Sequence, residues 1–142
     1  MEVAKWIVAL VAVFNFGGYV ADAVIPFTAK QHINNPRWPP HAKFHNGQTM
    51  LLGIGLGLYS LFLLFGTGQL TVMHFYLAAV AASLYFVAML LSPVFPGAGW
   101  SDPEFTKENG SVLGMHPQLF VGLLVCLILI AACGDVFLKH SA

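Results

Sequence analysis

Four stretches of this chain are so long and so apolar that water cannot be their solvent, and nothing else in the sequence limits its folds as strongly. They run approximately over residues 6–25, 44–65, 70–91 and 118–138. A hydrocarbon core of about 30 Å takes roughly 20 helical residues to cross, and each stretch supplies them. Within lipid every backbone N–H and C=O must find a partner inside the protein, which leaves only α-helices and closed β-barrels. These runs are continuous rather than alternating, so they are helices and not barrel strands. Composition agrees, with 58% of the 142 residues hydrophobic and 8% charged, against about 25% charged in soluble domains. The expected fold class is all-α, an integral membrane four-helix bundle in a single transmembrane domain over residues 1–142.

Proline marks the ends of the runs. It cannot continue the backbone ladder, so Pro26 closes the first run and Pro93 the third. Pro39 and Pro40 precede the second, and Pro117 opens the fourth, where a missing N–H costs nothing. The N-terminal run carries some marks of a cleavable signal peptide, with Lys5 before it and Ala21-Asp22-Ala23 behind it. Its length and the charge within that tripeptide favour a retained span. Cys126 and Cys133 share a helix face but lie two turns apart along the axis, too far to bridge. They read as small core or lipid-facing residues.

The connections are unequal. Gly66-Thr67-Gly68-Gln69 is a bare turn, which makes the second and third runs a tight antiparallel pair. Residues 26–43 and 92–117 are long, rich in Pro, Trp, His and acids, and must emerge together on one side of a four-pass bundle. Lys30, Arg37, Lys43 and Lys107 lie on that side against Lys5 and Lys139 on the other, a bias that predicts a cytoplasmic elaborated face. Gly53 and Gly57, and the third-run residues Ala78, Ala79, Ala81, Ala82 and Ser83, allow helix backbones to approach closely. Packing inside one bundle is expected of them, with a homo-oligomer or partner-subunit contact as the alternative. A net charge of zero and the lack of a Lys/Arg cluster exclude nucleic acid as a partner. Membrane lipid is the partner that the composition demands.

Chemistry gathers on the elaborated side. If Pro39-Pro40 start the second helix, His41, His45 and Gln48 fall on one stripe. Two histidines at that spacing can chelate a metal or work as an acid/base pair, because imidazole titrates near neutral pH. Asp22 stands near the exit of the first helix, on a stripe with Asn15 and with Tyr19 between them. An intramembrane carboxylate costs roughly 2.5–3.5 kcal/mol at a helix centre, so a buried partner is expected for it. The third loop adds Trp100, Asp102, Glu104 and Glu108, and His116 stands just before the Pro of the fourth helix. Asp22, His41, His45 and His116 are thus the expected catalytic set around one vestibule, with Asn15, Tyr19, Trp38, Gln48 and Trp100 as its substrate-binding lining. Asp102 and Glu104 read as solvated loop acids, and His74, Asp135 and His140 as structural groups on the blank side.

The string Asn35-Pro36-Arg37-Trp38-Pro39-Pro40-His41-Ala42-Lys43-Phe44-His45 resembles the signature of an uncharacterised family of small four-pass membrane proteins, found notably in fungi. That family carries a Trp-Pro-Pro-His-Ala-(Lys/Arg)-Phe-His segment preceded by a further His. The resemblance implies a four-pass architecture with this segment as its focus, and it implies no reaction. The mixture of aromatic and ionisable groups within spans is also similar, at the level of fold, to the sterol isomerase-like membrane proteins.

Three functions suit this pattern. The leading one is a small enzyme doing acid/base chemistry, isomerase-like or cyclase-like, on a lipophilic small-molecule substrate, with His41 or His45 moving the proton and Asp22 orienting the ring. It requires no cofactor. A second is a His-ligated metal site built from His32, His41, His45 and His116, suited to Zn, Cu or Fe, with haem less favoured because these residues lie near the interface. A third is a non-catalytic accessory or scaffold subunit. A transporter is disfavoured by the lack of an internal repeat or a broken helix pair.

Overall fold

The computed structural model describes residues 1–141. Four helices in it are long and apolar enough to cross a membrane: Glu2–Val24, Pro40–Phe65, Val72–Val94 and Pro117–His140, here called the first to fourth spans. They lie within a few residues of the apolar runs. The second and fourth each begin with a proline in the first helical turn, where its fixed φ suits the helix and no donor is wasted. The third begins at Thr71, whose hydroxyl accepts from the His74 N–H at 3.1 Å. That bond satisfies one of the four donors a helix start leaves free.

The spans pack as a bundle with the second and fourth at opposite corners. Val8, Leu64, Phe75 and Val136 are among the apolar side chains that fill the interior, and small residues and backbone polar groups bring the helices close. A Cβ on Gly57 would collide with the Ala12 carbonyl, and one on Gly53 would stand 2.8 Å from the Asn15 carbonyl. The Gly53/Gly57 pair is therefore the seat of the first span on the second. Ser60 Oγ donates to the Ala78 carbonyl at 2.9 Å and Asn15 Nδ2 to the Ala82 carbonyl at 3.1 Å, tying the third span to the second and the first. Such bonds suit an environment where lipid tails offer no hydrophobic contrast between helices.

The first span is not one regular helix. It is α-helical over Glu2–Phe14, turns at Asn15-Phe16, resumes for Gly17–Tyr19 and becomes a π-helix over Val20–Val24. There the Ile25 N–H reaches back five residues to the Val20 carbonyl at 2.9 Å. By the same register the Ala21 carbonyl would look to residue 26, a proline without an N–H. The Thr28 hydroxyl donates to it instead. The wider turn carries Asp22, and π segments of this kind are frequent at functional positions.

Candidate functional site

The two long loops fold over the same end of the bundle and are joined to each other. Loop one leaves the first span through a short helix, Pro26–Ala29, and then winds tightly. The Ala29 carbonyl accepts from both the His32 and Asn34 N–H groups, and Asn35 Oδ1 accepts from the Arg37 N–H at 2.9 Å. Asn35 and Gln31 are buried by this winding. Loop three answers with three links to loop one. Lys30 Nζ lies 2.9 Å from a Glu108 carboxylate oxygen, Arg37 pairs with Glu104, and the Trp38 indole N–H donates to Asp102 at 3.2 Å. Asp102 and Glu104 are exposed loop acids, as expected, and each also links the two loops.

Beneath these links lies a half-open cleft of about 520 Å³, within the 300–1,000 Å³ usual for small-molecule sites. Phe27, Trp38, Trp100 and Phe105 supply its apolar wall, and Asp22, Gln31, His32 and His116 its polar groups. Asp22 is held from two sides. Asn46 Nδ2 of the second span donates to its Oδ2 at 2.7 Å, and the His32 Nδ1 stands 3.4 Å from its Oδ1. Side-chain exposure is 17% for Asp22 and 24% for His32, so the pair is partly withdrawn from solvent. Trp38 meets the His32 ring edge-on, with centroids 5.6 Å apart.

Neighbours identify the tautomer of each cleft histidine. His32 Nδ1 is 3.0 Å from the Thr28 carbonyl as well as facing Asp22. Both are acceptors, so Nδ1 carries the hydrogen and Nε2 presents a lone pair. His116 is the reverse. Its Nδ1 accepts from the Gln118 N–H at 3.3 Å and so caps the fourth span, which leaves the hydrogen on Nε2. Desolvation lowers the His116 pKa below the ordinary imidazole value and so favours this neutral form. Trp100 stacks on the same ring, centroids 6.0 Å apart. The cleft therefore holds one imidazole ready to accept a proton and one ready to donate a hydrogen bond.

Of the residues expected around a vestibule, Asp22, Trp38, Trp100 and His116 line this cleft. His41 and His45 do not. Their Nε2 atoms meet each other at 3.0 Å, His45 Nδ1 meets Gln48 at 3.3 Å, and all three residues are exposed on the outer face of the second span. The reason is register: Asn46, Met50, Gly53 and Gly57 form the inward stripe of that helix, and the histidines fall on the other side. Asp22 thus takes its imidazole from His32 and not from His45. Asn15 is fully buried but serves the Ala82 carbonyl instead of the cleft. Tyr19 is 44% exposed, because the turn at Asn15-Phe16 and the π-helix break the stripe that a regular helix would make.

The four histidines named as metal candidates are divided between the cleft, with His32 and His116, and the outer face, with His41 and His45. Among the described residues no group of three or more His, Cys, Asp or Glu side chains is placed to hold a metal ion. On the opposite membrane side His74 bonds Thr67 at 3.2 Å, and Asp135 pairs with Lys139 at 2.7 Å, both local contacts.

Gln31, Thr28 and Asn46 were not anticipated as site residues. Asn46 was legible in principle, since the inward stripe of Gly53 and Gly57 extends back to it by helical spacing. Gln31 carried no such signal, because its position depends on how loop one winds. A model of a family of unknown function, DUF6640, matches residues 6–129. No curated protein and no solved structure matches the chain.

Proposed function

The chain belongs to this DUF6640 family of unknown function, and from its geometry we propose a small membrane enzyme that moves a proton on a lipophilic molecule held in the loop cleft. The observation that carries this is the Asp22–His32 pair on the cleft wall, with the His32 Nδ1 hydrogen directed at acceptors and Nε2 left open. His32 Nε2 takes the proton. Asp22 holds the ring in that tautomer and offsets the positive charge that arrives, and Asn46 keeps the carboxylate in place. His116, which also lines the cleft, carries its ring hydrogen on Nε2. A base and a donor fixed in opposite tautomers is the arrangement general acid/base chemistry needs. The aromatic walls suit a hydrophobic substrate, and the cleft adjoins the ends of helices apolar enough to cross a membrane.

Deuterium uptake tests the proposal without a known substrate. Purified protein in lipid nanodiscs is incubated in D₂O with a total membrane lipid extract, and mass spectrometry follows label entering carbon positions. One lipid class is expected to gain deuterium with the wild type. His32→Ala should slow that uptake by about 10²–10⁴-fold, the usual contribution of a proton-transfer group, and Asp22→Asn should slow it while leaving the protein folded. Uptake that is absent, or indifferent to both changes, rejects proton transfer at this pair.

A further inference from the structure

The outer face of the second span holds an open groove, separate from the loop cleft. It has a volume of about 680 Å³ and runs from Lys43 and Phe44 past Gly47 and Leu51 to Gly55 and Leu56. Every residue lining it belongs to the second span. A Cβ at Gly47 or Gly55 would meet nothing within 4 Å, so the two missing side chains leave a hollow that no other helix fills. The wall is apolar except for Lys43 and Gln48, both toward the start of the helix. From Lys43 to Leu56, at 1.5 Å per residue, the groove is about 20 Å long. One leaflet's half of a hydrocarbon core of about 30 Å is about 15 Å deep. Beyond Leu56 the same face carries the exposed side chains of Leu58, Tyr59 and Phe62 instead of a hollow. The groove therefore spans one leaflet, on the side of the two long loops.

We propose that this groove binds an anionic glycerophospholipid, with one acyl chain laid along the glycine floor and the phosphate against Lys43. Charge complementarity selects the headgroup. Lys30 and Arg37, the cations of loop one, are paired with Glu108 and Glu104, whereas among the described residues Lys43 has no acidic partner. Lys43 is half-buried, so its methylene stem follows the groove while its ammonium stays at headgroup level, as long cationic side chains do at membrane interfaces. Length selects the chain. A partner helix crossing the membrane would need a seat along the whole span, and a second copy related by a two-fold axis would bring another unpaired Lys43 to the same end. An acyl chain needs only the depth of one leaflet. Lipid tails give no hydrophobic contrast, so what retains one lipid over its neighbours is close packing in a hollow together with a charge at the surface. The site stands apart from the cleft and does not depend on the proton-transfer reading.

Native mass spectrometry of the purified full chain in detergent, titrated with dioleoyl-phosphatidylglycerol or dioleoyl-phosphatidylcholine, tests the site, because these lipids share their chains and differ in charge. The first phosphatidylglycerol should bind about fivefold more tightly than the first phosphatidylcholine, the worth of one lysine beside an anionic lipid. Lys43→Gln should abolish that preference. Lys107→Gln, which removes a loop-three cation outside the groove, should preserve it. Gly55→Phe, which fills the hollow from an exposed position, should eliminate the tight phosphatidylglycerol event. Circular dichroism must first show unchanged helix content in Gly55→Phe, and Lys43→Gln serves as the independent variant. A preference that is absent, that survives Lys43→Gln, or that Lys107→Gln removes equally overturns the headgroup contact. Undiminished binding in Gly55→Phe overturns the groove. A dimer of the lipid-free protein that Gly55→Phe dissociates would give this face to a second copy, and it too overturns the proposal.

Discussion

Which nitrogen of a histidine ring donates and which accepts is set by what each one faces, and this cleft contains both arrangements. His32 points its Nδ1 at two acceptors and His116 points its Nδ1 at a donor. The two rings are chemically identical in the sequence and opposite in the fold. His116 also makes a prediction about pH. Its pKa is lowered by burial, and protonation would put a positive charge at the N-terminal end of a helix, where the macrodipole opposes it. The unfolded chain binds that proton more readily than the folded one, so the stability it contributes is complete above about pH 6.5 and falls as the pH drops below it. Melting temperatures of the detergent-solubilised protein should therefore decline on acidification. His116→Asn, which can still cap the helix without titrating, should flatten the decline. Asp22, His32, Asp102 and Glu108 also line the cleft and are unchanged between the two proteins, so the difference in slope belongs to His116.

At the scale of elements, the glycines of the second span divide by face. Gly57 meets the Ala12 carbonyl and the Phe16 ring, whereas Gly55, two residues before it, has open space where a Cβ would go. Gly57→Ala must push the first span away, and overpacking of this kind costs about 1–3 kcal/mol. Gly55→Ala should be neutral or stabilising by up to about 1 kcal/mol, the helix-propensity difference between the two residues. Thermal unfolding in one detergent checks both. Equal effects would mean that the second span does not seat the first through Gly57. The π-helix at Val20–Val24 belongs to this scale too. It arises where Pro26 deprives the preceding turn of a donor, and its result is to present Asp22 to Asn46 on one side and His32 on the other.

At the scale of the whole molecule, the cleft exists because two loops distant in sequence are clamped together. The Lys30–Glu108 and Arg37–Glu104 pairs are largely exposed, with side-chain exposures from 33% to 66%. Exposed pairs contribute about 0–1 kcal/mol each and weaken with salt. The roof of the cleft should accordingly loosen before the bundle does. Hydrogen exchange of loop-one amides is expected to quicken on going from low salt to about 0.5 M, with exchange in the four spans unchanged, and Trp38→Phe should produce the same pattern by removing the bond to Asp102. Unaltered loop-one exchange in both experiments would show that these links do not hold the cleft.

Sequence alone determined the four spans, their ends and the gathering of polar loops on one face, because hydrocarbon thickness and backbone pairing in lipid are rules read one segment at a time. The same segment-by-segment reasoning identified Asp22, Trp38, Trp100 and His116 by type and by side. It also put His41 and His45 beside Asp22, since helical spacing says which residues share a stripe and not which way the stripe turns. Only the tertiary structure decided that question. The close seat of Gly53 and Gly57 on the first span turns Asn46 inward and both histidines outward, and the winding of loop one brings His32 and Gln31 to the cleft. Orientation about a helix axis and the path of a loop depend on contacts between residues far apart in the chain, which no local pattern encodes.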